Sequence, residues 1–572
     1  MNIEAVVQDI FETMPSRFKS GEADENFKAD LGFTIDGKQW TLSISGKSCK
    51  IFNVLNEGCN AVIRTGVEEL IGIMTNSVDP AALFLSKKLE VDGDIEILLV
   101  AFPLFETYKS DDVIIKDPSW VVDTLGSYFK VREDDRFMIE DLDCVELAEQ
   151  FGTPLFVTSE GQLRENIRNM KAAFASAYPE NDVNVMWAIK SNTTFALRKI
   201  MNEEGAGGDC FSPGEIYATF ITGADPELFL HTGSDRSDEA FRMAIEIGMR
   251  ITLDHMDDLY ILERLAREFK KNIRVLIRVK CDLPSLKQVE STFEPGISVP
   301  FEVQNLKFGV TYEEAVEMAN TAKQFPNIII EGIHSHIGRD VHLPEHWRGY
   351  AFDMITLCSS FYANTGILTQ ILDLGGGFAE KRDPSSHDLM NLAAPIEEYA
   401  CQVGDGLREG CRKHDFPYPR LWIEPGRNLI GTTTVMISRV GNVKRTPGVC
   451  TWVHVDASCN FLPSVNRHNG MSYHLLCGTR AHAKAEETVD IVGPNCSGDL
   501  IQPRRKMPKM ERGDLLIFLD VGAYNSVASN QFNSIPRPPC LLVSGSQVDI
   551  ICERETINDI FARQRIPARM LI

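Results

Sequence analysis

Val183-Asn184-Val185-Met186-Trp187-Ala188-Ile189-Lys190-Ser191-Asn192 decides how this chain is read. The mostly apolar run from Val183 to Ile189 predicts a buried strand, and Lys190 stands at its end. An ammonium left unpaired in a dry site costs several kcal/mol. A lysine so placed usually has a chemical reason, most often a lowered pKa and an imine partner, the alternative being a stem that snorkels to the surface.

Working outward, largely apolar runs recur at Leu228–His231, Arg250–Asp254, Val275–Val279, Ile328–Ile337, Ile371–Asp373 and Trp422–Ile423. Amphipathic stretches such as Asp238–Ile247 and Asp257–Phe269 separate them. With the short turn at Gly208-Asp209-Cys210 this gives close to eight strand-helix units, the pattern of a (β/α)8 barrel in the α/β class. Four glycine- or charge-marked clusters fall at the carboxyl ends of these strands, where barrel active sites are built. They are Gly207-Gly208-Asp209-Cys210-Phe211-Ser212-Pro213-Gly214-Glu215, His334-Ser335-His336-Ile337-Gly338, Asp373-Leu374-Gly375-Gly376-Gly377-Phe378 and Glu424-Pro425-Gly426-Arg427. After Arg427, β-branched runs with Gly and Pro turns predict a C-terminal β domain that contains Gly493-Pro494-Asn495-Cys496 and Gly522-Ala523-Tyr524.

Ahead of the barrel, alternating segments at Phe33–Asp36, Trp40–Ile44, Cys49–Ile51 and Ala61–Ile63, with turns at Asp36-Gly37 and Ser45-Gly46, predict an antiparallel meander followed by a helix over Val67–Met74. Asp117-Pro118-Ser119 reads as linker. The expected division is therefore a small α+β domain over 1–115, a linker over 116–140, the barrel over 141–430 and the β domain over 431–572.

A chain of 572 residues exceeds what one core usually supports. Its formal charge of -23 argues against nucleic-acid or anionic-membrane binding, which needs clustered cations. The acidic start, Met1-Asn2-Ile3-Glu4, lacks the basic region of a signal peptide, and apolar runs such as Ile97–Phe102 are too short to span a bilayer. Fourteen cysteines without a Cys-x-x-Cys pair point to reduced thiols in the cytosol and no structural zinc.

The lysine string and the six clusters, in this order, resemble the fold-type III pyridoxal-phosphate decarboxylases, the group of diaminopimelate, ornithine and biosynthetic arginine decarboxylases; the resemblance covers roughly residues 140 to 560. The N-terminal strands with Ala81-Ala82-Leu83-Phe84-Leu85-Ser86-Lys87-Lys88 resemble the sterol carrier protein fold, although Lys87 stands where that family usually has glycine. Such a domain is either a docking or oligomerisation module or a binder of lipid or acyl chains.

The first resemblance implies pyridoxal 5'-phosphate and a role for each cluster. The cofactor needs a lysine to carry it, a charge partner for its pyridine nitrogen, a phosphate cradle and a proton donor. Lys190 would carry it, and Glu424 would face the pyridine nitrogen. Gly375-Gly376-Gly377 would supply phosphate amides, joined by Arg427 and Tyr524. His336 would stack on the ring, and Asp209 and Arg278 would pair beside it. Lys307 matches a signature position without an assigned role. His334 and His336 share one strand face, which by itself would permit a metal, but the sequence shows no third ligand, so none is expected. Cys496, acting from the partner subunit, would protonate the carbon that loses its carboxylate, which requires at least a homodimer. An inert buried thiol is its alternative.

Departures from the family bear on the substrate. Ser497 follows Cys496 where the family commonly has an acidic residue that meets the substrate's distal amine. Ser464-Val465 stands where diaminopimelate decarboxylases have a substrate-binding arginine-proline, and Arg339 replaces a serine after the histidine-isoleucine-glycine motif. A diamino acid whose buried charges lack partners should be rejected by several kcal/mol. The expectation is thus an amino-acid α-decarboxylase with an atypical substrate, free or carrier-bound; a racemase and a non-catalytic regulator are the competing readings.

Overall fold

The computed structural model describes residues 3–20, 23–35, 37–74, 89–105, 118–233, 237–280, 282–287, 289, 299, 304–382, 392–447, 450–466 and 472–570. The chain divides into two compact units, the first reaching Lys116.

In the first unit a five-stranded sheet carries Ser48–Phe52, Lys38–Ser45, Lys28–Ile35, Ala61–Thr65 and Leu89–Gly93 in that spatial order. Gly37 (φ 83°) and Gly46 (φ 56°) adopt left-handed backbone that suits tight turns, so the first three strands form the expected meander. The fourth does not continue it. Ala61–Thr65 pairs parallel with Lys28–Ile35, because residues 53–60 are long enough to carry the chain back across the sheet. Helix Ile3–Arg17 covers one face, and its apolar positions Val7, Ile10, Phe11 and Met14 recur with helical period. Phe11 stacks on Trp40 at 4.5 Å. The segment around Lys87 lies outside the described residues.

In the second unit eight parallel strands close into a barrel: Val183–Ala188, Gly207–Cys210, Phe229–His231, Arg250–Leu253, Ile273–Arg278, Ile328–His334, Ile371–Asp373 and Arg420–Ile423. Closure is direct, with Val183 in register with Leu421. Met186, Leu230, Leu276, Ile371 and Trp422 fill the interior as a packed plug, so the barrel is solid below its carboxyl rim.

The boundary expectations meet two differences. Residues 118–140, read as linker, contain the paired strands Phe129–Val131 and Phe137–Ile139, whose Phe129, Phe137 and Ile139 are buried with Leu155, Val157 and Ile437. Three-residue strands are too short to show a period in sequence. Leu155–Ser159, counted with the barrel, lies instead inside the C-terminal sheet, between Thr434–Thr446 and Cys540–Ser544. That sheet is thus built from segments on both sides of the barrel in sequence. Among the described residues no helix is long and apolar enough to cross a membrane.

Candidate active site

The strand Val183–Ala188 ends in one 3-10 turn, Ile189–Ser191, that presents Lys190 at the barrel's carboxyl rim. Ser191 fixes the turn: its hydroxyl donates to Ala188 O and accepts from Trp187 Nε1, each at 2.8 Å. The C-terminal domain locks onto the same turn, since Tyr524 N donates to Ser191 O at 2.8 Å and Asn192 Nδ2 donates to Gly522 O at 3.1 Å. Tyr524 is held with φ 59°, a left-handed backbone rare for a bulky residue.

Lys190 enters a cavity of about 370 Å³ whose wall includes Arg278, His336, Gly376, Gly377, Glu424, Arg427 and Tyr524. Its Nζ lies 3.4 Å from Asp209 Oδ2 and 4.1 Å from the centre of the Phe211 ring. Thr232 donates its hydroxyl to the other Asp209 oxygen. The lowered lysine pKa expected at such a position is not found. Burial pulls it down, but Asp209, then Tyr524 and Glu424, outweigh burial and hold the ammonium above its ordinary range.

At the strand ends beside it, His334, Asp373 and Glu424 are fully buried, and their ligand atoms all lie within 4.8 Å of one another. Burial, then the Glu424 charge, pushes Asp373 well above the usual carboxylate range and favours its protonated form. Burial also raises Glu424, while Lys190 and Arg278 pull it back towards the charged form. Burial, then Arg278, keeps His334 neutral at 3.5 Å from Glu424. This acid pair supplies the third partner that a metal reading of the His-x-His motif lacked, but it gathers around His334 alone.

His336 is neutral for the same reasons, and its Nδ1 accepts from Gly338 N at 3.0 Å, which assigns the ring proton to Nε2. Arg278 stacks on Phe308 at 4.7 Å, and Lys307 reaches the same ring at 5.2 Å. The expected Asp209–Arg278 pair is therefore not formed: the ion-pair partner of Asp209 is Lys190. On the opposite side Arg427 is buried, 3.8 Å from Asp340 and 5.2 Å from the Tyr524 ring. Gly375 (φ 69°) and Gly377 (φ 114°) turn the backbone through left-handed conformations, and a side chain on Gly376 would strike the Glu424 carbonyl.

Three expected site residues do not line this cavity: Asp209 sits behind Lys190, Gly375 precedes the lining Gly376, and Cys496 lies elsewhere. Cys496 is exposed, on a loop pinned by Gly493 N to Asp499 O (2.8 Å) and by Cys496 N to Asn533 Oδ1 (2.9 Å). Ser464 and Arg339 do line the cavity. Sequence reasoning missed Thr232, which follows a three-residue strand without a motif of its own. It also missed the acid role of Asp373, which was visible only as the first letter of a glycine cluster.

The pyridoxal phosphate that the resemblance implies can be tested against these groups. A pyridinium N–H needs an acceptor, and Glu424 Oε1 is buried without a donor. A phosphate needs a donor, and Arg427 Nη1 is buried without an acceptor. The glycine corner brings backbone close where a Cβ would intrude. The residues present fit the cofactor.

Comparison with known proteins agrees. Residues 160–431 match the pyridoxal-dependent decarboxylase, pyridoxal binding domain, and residues 11–106 match the SCP-2 sterol transfer family. The chain is 32% identical over 443 residues to diaminopimelate decarboxylase from Methanothermobacter thermautotrophicus, covering 77% of this chain and 98% of that one. It is 29% identical to the Bacillus subtilis diaminopimelate decarboxylase, over 74% of this chain and 93% of that one. The crystal structure of diaminopimelate decarboxylase from Methanocaldococcus jannaschii superposes with a TM-score of 0.70 at 26% identity, covering 78% of this chain and 99% of that one.

Proposed function

Because the chain belongs to the pyridoxal-dependent decarboxylases, we propose that it removes the α-carboxyl group of an amino acid whose side chain differs from those of diaminopimelate and ornithine. Pyridoxal phosphate, when bound, supplies the sink for the electron pair left on the α-carbon as carbon dioxide departs. The rest falls to the protein. Lys190 carries the cofactor, with Asp209 holding its Nζ in place. Glu424, whose charged form Lys190 and Arg278 favour, holds the proton on the pyridine nitrogen. His336 backs the ring, and Arg427, Tyr524 and the amides of Gly375–Gly377 take the phosphate. Cys496 of the partner subunit returns a proton to the α-carbon, so the working unit is a homodimer.

The observation that carries the substrate reading is Ser464 in the cavity wall, at the position where the resemblance places a substrate-binding arginine. Arg339 adds a cation elsewhere in that wall. A distal carboxylate-and-amine pair would then be buried against a hydroxyl and a relocated guanidinium, a loss of several kcal/mol. Carbon dioxide release, measured on a panel containing meso-diaminopimelate, ornithine, lysine, arginine and amino acids with acidic or uncharged side chains, tests this. The expected result is a kcat/KM for diaminopimelate at least about a hundredfold below that of the best substrate, since each lost charge contact is worth roughly 1.5–3 kcal/mol. Diaminopimelate emerging as the best substrate would return the protein to the activity named for its relatives.

Glu424→Gln should cut turnover about a hundredfold with cofactor still bound, because a fixed charge at the reacting system is worth about 3 kcal/mol. Absorbance titration of bound cofactor and single-turnover rates check both halves. Unchanged turnover would reduce Glu424 to a turn residue.

A further inference from the structure

Cys540 and Cys552 stand apart from the cavity and from every role assigned above. We infer that they form a reversible thiol-disulfide site that accepts small disulfides from solution. Cys540–Ser544 and Gln547–Cys552 are antiparallel neighbours, and Cys540 pairs with Cys552 at the end of their register, where Ile551 is skipped in a bulge before Leu541 pairs with Ile550. Opposed residues of such a ladder have Cα atoms about 4.5–5.5 Å apart, inside the range of about 4.4–6.8 Å that a disulfide needs. They also point to the same face of the sheet. Cys540 is buried at 8% exposure, whereas Cys552 is open to solvent, so one sulfur can meet a reagent and the other lies behind it.

The Cys540 thiol, then Arg537 nearby, brings Cys552 down to about 6 against burial and the charges of Glu555 and Glu553, while Cys540 is pushed well above its ordinary value. Cys552, the solvent-exposed member of the pair and the one whose thiolate is favoured, is the attacking thiol. It displaces one thiolate from a small disulfide, RS–SR, forming a Cys552–SR bond as the S–S bond breaks. Cys540 then loses its proton and attacks Cys552 sulfur, expelling the second thiolate. The protein gives up two electrons and two protons, and the small disulfide is reduced to two thiols. Loss of the Cys552 charge in the first step makes the ionisation of Cys540 easier for the second.

The rate of the first step is the weaker signature. A lowered thiol pKa raises the thiolate fraction near neutral pH but lowers its nucleophilicity, so the two effects largely offset each other. The product is the stronger one. The holoenzyme is treated with oxidised glutathione, quenched with an alkylating agent and mapped by peptide mass spectrometry. Wild type should accumulate a Cys540–Cys552 link that dithiothreitol reverses. Cys540→Ser should stop at glutathione-bound Cys552, and Cys552→Ser should give no link and leave Cys540 unmodified. Exposed Cys401 in the same digest serves as the internal reference, with Cys552 consumed faster. Stable glutathione on Cys552 in the wild type, or consumption no faster than at Cys401 with no link, would overturn the inference.

Discussion

Lys190→Ala is expected to leave a folded protein whose decarboxylation falls by at least about ten-thousandfold, since removing a group that works covalently as one unit with its neighbours disables the whole unit. The fold should survive. The Lys190 side chain is 35% exposed to the cavity, and its turn is held by Ser191, Trp187 and Tyr524 through bonds that do not involve the lysine. Asp209, stripped of its partner, is already biased towards its protonated form by burial and by Glu424, and its Thr232 bond persists. The chemical control is borohydride, which should fix the cofactor on Lys190 in wild type. Among the described residues the cavity wall holds one other lysine, Lys280, but its Nζ is committed to the carbonyls of Gln304 (2.8 Å) and Leu306 (2.9 Å). Cofactor reduced onto Lys280, or a variant that still turns over, would overturn the assignment of the carrier lysine.

Lys190 and the barrel were legible together because parallel strands are buried on both faces, so they appear as short apolar runs whose ends carry the functional clusters. Where the sequence was silent, the cause is pairing partner rather than composition. Nothing in Ala61–Thr65 says that its neighbour runs parallel, and nothing in Leu155–Ser159 says that it joins Thr434–Thr446 rather than the barrel. The electrostatics were hidden for a related reason. An apolar strand before Lys190 argues for a depressed pKa, but Asp209, Tyr524 and Glu424 arrive from other strands and reverse the sign. The raised pKa of Asp373 likewise depends on its meeting Glu424, from a strand end about fifty residues away. The motif order named the residues; only the fold placed Asp209 against Lys190 instead of Arg278.

Cys496 is the remaining case, since it belongs to the strongest motif of the C-terminal domain yet does not line the cavity of its own chain. Its loop is nevertheless well anchored, by Asn533 to its own amide and by Asp499 to Asn495 at 3.0 Å, which is how a working group presented to a neighbour should be held. Service to the partner's site predicts complementation. Cys496→Ala and Lys190→Ala proteins should each be nearly inactive, while mixing them under conditions of subunit exchange should restore activity. Random pairing makes about half the dimers mixed, and isologous symmetry gives each mixed dimer one site with both residues intact, so the ceiling is about a quarter of wild-type activity. The measurement is carbon dioxide release against mixing ratio, with exchange followed independently by a tag on one variant. Recovery that peaks at equal mixing is the expected result. Exchange without recovery would place both residues' work within one chain, or remove Cys496 from the chemistry.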